Sequence, residues 1–137
     1  GTSLIPTDPQ GEALFEQAAS IEAFNFSSFV APICAEKVFK PLQVLSFSRR
    51  RGLQTNEDKV TGLLAALIPK LDAYNVILGK QKYLAGNDVT LADLTHLPYG
   101  TMFIQMYPEL FESKPHLIRW WNAISSRPAW LAVKDGA

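Results

Sequence analysis

Val60, Leu63, Leu64, Leu67, Leu71, Tyr74 and Leu78 make a continuous apolar stripe along one segment. Steps of three and four put all of them on one face of a helix with 3.6 residues per turn, and a strand of period two cannot use them. A helix striped in this way is stable only when other apolar faces cover the stripe. Thr55 or Asn56 supplies a cap, and Glu57 and Asp58 suit the positive helix end. Pro69 should bend the helix, and Gly79 should stop it.

The rest of the chain follows the same period. Leu14, Ala18 and Ile21 predict a helix from Pro9 to about Phe24, capped by Thr7 or Asp8. A second helix is expected from about Phe29 to Phe47, with Val38, Leu42 and Leu45 on one side. Pro41 should kink or end it, and Arg49 to Gly52 should break the pattern. Thr90-Leu91-Ala92-Asp93 has the form of a capping box, with Val89 and Leu94 at the staple positions. Its helix is expected to run on through Leu97, Phe103 and Ile104 with Pro98 inside it. Leu117, Trp120, Trp121 and Ile124 predict a last helix from Pro115, ended by Arg127-Pro128, where one more turn can begin. No segment alternates with period two over a strand's length. The expected fold is all-α, a bundle of roughly five to seven helices.

Composition narrows the function. The 137 residues carry 13 basic and 13 acidic side chains, and 47% are apolar. That supports one domain with a real core and gives no electrostatic excess for nucleic acid or an anionic membrane surface. The single cysteine, Cys34, excludes a disulfide scaffold and fits a reducing compartment. No uninterrupted apolar run approaches the ~20 residues of a bilayer span, and no signal peptide is expected at the N-terminus. His96 and His116 have no companion at metal-ligand spacing, so no metal is expected. Cys34 reads as a buried inert thiol, and Trp120, Trp121 and Trp130 as core anchors. Asp93 resembles a general base, yet the cap accounts for it; its loss should cost roughly 0.5–2 kcal/mol. A helical domain without a visible reaction centre suggests a binding half whose chemistry lies elsewhere.

The order of motifs resembles a known family. Gly1 to Pro6, followed by Glu16-Gln17 and Ile21-Glu22, is similar to the linker and first C-terminal helix of glutathione transferases. Glu36 to Pro41 resembles the pocket-lining helix of phi-class members, and Tyr83 to Leu94 the superfamily's folding motif. His96-Leu97-Pro98, Pro115 to Trp121 and Arg127 to Trp130 are also phi-like. Ala18 and Gln43 depart from that pattern, where phi-class chains commonly carry aromatics.

The resemblance implies a linker at 1–8 and a helical C-terminal domain at 9–137, with the N-terminal thioredoxin-like domain absent from this chain. The missing domain would hold glutathione, the co-substrate, and the catalytic serine, so no residue here is expected to be catalytic. The domain would instead supply the wall of the electrophile pocket. Ala35, Phe39 and Gln43 would lie along one helix, with Met102 and Phe103 facing them from another. The whole protein would be a cytoplasmic homodimer that conjugates glutathione to hydrophobic electrophiles or reduces peroxides. The alternative is a non-catalytic assembly or ligand-binding module of the same fold.

Overall fold

Asp8 begins the first helix as expected, its Oδ1 accepting the Gly11 N–H at 2.8 Å. The computed structural model describes residues 4–46 and 54–136, with the side chains of 44–46 outside that set. The readings on Gly1 to Ser3, the side-chain direction of Leu45, the helix end at Phe47 and the break at Arg49 to Gly52 lie outside the described residues.

Helix α1 (Pro9–Glu22) does not stop at Phe24. It passes through a π turn (Ala23–Ser27) into α2 (Ser28–Cys34), and through a second π turn (Ala35–Phe39) into α3 (Lys40–Ser46). The two expected helices are therefore one rod. Pro41 does not end it, because the turn ahead widens and the Lys40 N–H reaches back to the Ala35 carbonyl. Each π turn adds a residue, and one residue rotates the following face by about 100°. That slip explains two departures from the expected face: Leu42 is 52% exposed, while Val38 is only partly so. Leu14, also expected inside, is exposed, whereas Ala18 is buried.

Helix α4 (Glu57–Lys80) is capped by Asn56, whose Oδ1 accepts the Lys59 N–H at 3.0 Å. Val60, Leu67, Leu71, Tyr74 and Leu78 are buried along its stripe. Pro69 sits on the exposed side, and the helix continues past it. Gly79 lies inside α4 rather than beyond its end, and a Cβ there would stand 3.0 Å from His116. A tight turn follows, in which Gly86 adopts φ +139° and its carbonyl accepts the Tyr83 N–H at 2.7 Å.

The capping box opens a single turn, α5 (Leu91–Leu94), and a new helix, α6 (Leu97–Met106), starts after it. Pro98 thus occupies the first turn of α6 instead of a helix interior, where its missing N–H costs nothing. Two short helices, α7 (Glu109–Glu112) and α9 (Pro128–Leu131), flank α8 (Pro115–Ser125). Asn75 of α4 caps α8 from outside, its Oδ1 accepting the N–H groups of His116 and Leu117.

Trp120, Tyr74, Phe26, Phe103 and Phe111 fill the centre of one core that joins the rod, α4, α6 and α8. Among the described residues no strand forms beyond an isolated bridge between Tyr83 and Gly86. The chain is all-α, as expected. Pro9–Gln43 and Glu57–Lys80 are long and apolar enough to cross a membrane, by length and composition, although neither contains an uninterrupted apolar run of that length. Here both pack into the core around Trp120.

Candidate functional site

Each group that first suggests chemistry is already engaged. Asp93 is fully buried. Its Oδ2 accepts the Thr90 N–H at 2.9 Å and the Thr90 hydroxyl at 3.2 Å, completing the cap. Its Oδ1 accepts the Leu84 N–H at 3.0 Å and the Trp120 indole N–H at 2.9 Å. One carboxylate therefore ties the α4–α5 loop, the start of α5 and the middle of α8.

His96 lies beside it, fully buried between Phe26 and Trp120. Its Nδ1 faces the Ala92 carbonyl at 2.9 Å and the Asp93 carbonyl at 3.2 Å, so Nδ1 carries the proton. Nε2 is then an acceptor and takes the Tyr74 hydroxyl at 2.9 Å. Burial pushes His96 down to about 4 and keeps the ring neutral. Burial also pushes the Tyr74 phenol above its ordinary range and the Cys34 thiol up to about 11. Cys34 is thus a thiol at neutral pH, with Sγ 3.9 Å from the Tyr99 carbonyl. Among the described residues, no group of His, Cys, Asp or Glu could hold a metal.

Sequence reasoning did not find Glu36. Its carboxylate is buried in the second π turn and accepts from Lys40 Nζ at 2.6 Å, Lys59 Nζ at 3.2 Å and the Asn56 N–H at 3.0 Å. The Lys40 hydrogen bond, then that of Asn56, holds Glu36 down at about 2 against the opposing effect of burial. The Thr55 hydroxyl donates to the Glu36 carbonyl, so this turn is fastened to the start of α4. The sequence signal was the i, i+4 spacing of Glu36 and Lys40.

The five pocket candidates divide. Ala35 and Phe39 belong to the second π turn and Gln43 to α3. Phe39 is 38% exposed and Gln43 is exposed, while Ala35 is half-buried. The Cys34–Tyr99 contact packs α2 on α6. Met102 lies one turn beyond Tyr99 on α6, and Ala35 is the residue after Cys34. Met102 is half-buried, but Phe103 is in the core, its ring 5.2 Å from Tyr107 and 6.2 Å from Phe111. Adjacent residues on a helix diverge by about 100°, and the two side chains do not share a face.

Among the described residues, concavities occur elsewhere. One, about 410 Å³, lies between the end of α4 and α8, around Lys80, Lys82 and Arg119. A second, about 290 Å³, separates the first π turn from α4 near Ile21 and Tyr74. A third, about 200 Å³, lies under Trp130. None is lined by Ala35, Phe39, Gln43, Met102 or Phe103.

Comparison with known proteins adds an independent line. The family profile for the glutathione S-transferase C-terminal domain matches residues 26–128. Glutathione S-transferase PM239X14 of Arabidopsis thaliana is 47% identical over 125 residues, 90% of this chain and 54% of that protein. The crystal structure of glutathione transferase F7 from Populus trichocarpa superposes with a TM-score of 0.85 at 27% identity, covering 99% of this chain and 61% of that one. Glutathione S-transferase I from maize, in complex with an atrazine glutathione conjugate, does so at 0.82 and 26% identity, covering 93% and 57%. The chain spans about half the length of the curated relatives it matches.

Proposed function

Because the chain belongs to the glutathione S-transferase family, as a phi-class-like C-terminal domain, we propose that it forms the hydrophobic-substrate half of a glutathione transferase. The whole protein joins glutathione to hydrophobic electrophiles or reduces peroxides, acting as a homodimer in the cytoplasm. Residues 1–8 are its interdomain linker and 9–137 its helical domain. The observation that carries this reading is the likeness of nearly the whole chain to half of each relative.

Ala35, Phe39, Gln43 and Met102 form one side of the electrophile pocket, and Phe103 supports it from the core. Such a wall speeds reaction by position. It holds an apolar molecule beside the glutathione sulfur, and good placement is worth large effective concentrations. The cysteinyl thiol attacks the electrophilic carbon and its proton leaves to a base outside this chain. Glutathione itself is held mainly by the N-terminal domain, with no metal. The engagement of Asp93, His96 and Cys34 supports assigning this half no catalytic residue.

The test compares kinetics of the full-length protein with those of its Phe39→Ala variant on an aryl halide. Removing the exposed ring should raise KM for the aryl halide several-fold and leave KM for glutathione nearly unchanged. Equal effects on both substrates would remove Phe39 from the pocket. No turnover by the full-length protein with any of a panel of electrophiles or peroxides would overturn the transferase reading. The 137-residue chain alone should show none.

A further inference from the structure

The distribution of positive charge is uneven. Five lysines hold carboxylate partners within 3.2 Å. Among the described residues, Lys80, Lys82 and Arg119 hold none, and all three line the 410 Å³ concavity between α4 and α8. No Asp or Glu lines it with them. Like charges gathered in one cleft repel, and the cleft's low-dielectric walls focus the resulting potential. Arg119 is fixed: its Nη2 donates to the carbonyls of Leu78 at 2.8 Å, Lys82 at 3.3 Å and Gln81 at 3.4 Å. It thereby neutralises the negative end of α4 and keeps its other nitrogens free of protein partners among the described residues. Lys82 has a weak alternative contact, its Nζ 5.6 Å from the centre of the Tyr83 ring. Leu78 and Trp120 also line the cleft but are buried, so its accessible apolar surface is Ala123 and the stems of the two lysines.

We propose that this concavity binds a small phosphate monoester, with the phosphate among Lys80, Lys82 and Arg119 and its organic group against Ala123 and the lysine methylenes. Three cations favour a dianion over a carboxylate, and a phosphate monoester carries about −1.5 to −2 at neutral pH. Ala123 and the lysine methylenes favour an ester over the free ion, since covering apolar surface adds affinity that inorganic phosphate cannot gain. The volume suits a ligand of that size. This site does not depend on the transferase reading, because none of the pocket-wall residues lines it.

The experiment titrates phenyl phosphate and inorganic phosphate into the full-length protein at constant ionic strength, following backbone amide shifts by NMR. Phenyl phosphate should saturate shifts at Gly79, Lys82 and Ala123, and bind about tenfold or more tightly than inorganic phosphate. The double variant Lys80→Gln, Lys82→Gln removes two exposed side chains that hold no ion pair, so its spectrum should otherwise stay native. It should weaken phenyl phosphate binding about tenfold or more, because two of the three cations facing the phosphate are lost. Absence of saturable shifts in this region would overturn the proposal. So would equal affinity of the double variant, or equal affinity for the two phosphates.

Discussion

Asp93 receives two N–H groups and an indole N–H in a place that water does not reach. Its replacement by Ala strands all three donors, each costing about 1–3 kcal/mol. The expected loss is therefore about 3 kcal/mol or more, above what the cap alone implies. Urea unfolding of Asp93→Ala against the native chain checks this. A variant that keeps its stability but loses turnover in the full-length protein would show a chemical role instead. His96 gives a pH signature. Its pKa is about 4 in the fold against 6.5 when exposed, so the unfolded chain binds more protons between those values. Its contribution is fully present above 6.5 and is lost as pH falls toward 4, with about 2 kcal/mol gone between pH 7 and pH 5. Denaturation at the two pH values should show that loss, and His96→Gln should reduce the slope. Glu36 acts in the same direction but lower, its contribution fading as pH drops from 4.5 through about 2.

Two glycines show how an element's surroundings decide a substitution. Gly62 lies exposed within α4, and a Cβ there meets nothing within 4 Å. Ala should therefore stabilise the protein by roughly 0.5–1 kcal/mol through helix propensity. Gly100 lies within α6 beneath Trp121, and a Cβ would fall 2.6 Å from that ring. Ala there should cost about 1–3 kcal/mol by overpacking. Thermal unfolding of the two variants should move in opposite directions, and a shift of the same sign would contradict the packing around Trp121. The sequence disclosed much at this scale. The α4 stripe, the Thr90–Asp93 box and the start of α8 at Pro115 depend on neighbours three or four residues away. The joined rod was not legible, because a π turn is a change of register and leaves the residue types unaltered. Glu36 was hidden for another reason: its partners Asn56 and Lys59 lie about twenty residues further along. The candidate wall was reached only through resemblance, since an exposed Phe39 and a buried Phe103 look alike in a sequence.

At the scale of the molecule, the rod's exposed surface is at odds with a chain that folds alone. Phe24 is 74% exposed and Leu14 41%, and Phe39 and Leu42 are also open. Where such residues join into one contiguous patch, they mark a surface that another body covers. In a transferase those bodies would be the N-terminal domain and the second subunit, which accords with relatives about twice as long as the matched region. The Leu4 carbonyl accepts the Leu91 N–H at 2.9 Å, tying the proposed linker to the first turn of α5. The 137-residue chain by itself should therefore bind a hydrophobic dye or dimerise as its concentration rises. The full-length protein at the same molarity should bind markedly less dye, because burying apolar area removes the dye's surface. Sedimentation and dye fluorescence on both forms make the comparison. A short chain that stays monomeric and dark would mean that the rod's open side chains are ordinary scattered surface residues. Equal dye binding by both forms would place the covering body somewhere other than the N-terminal half.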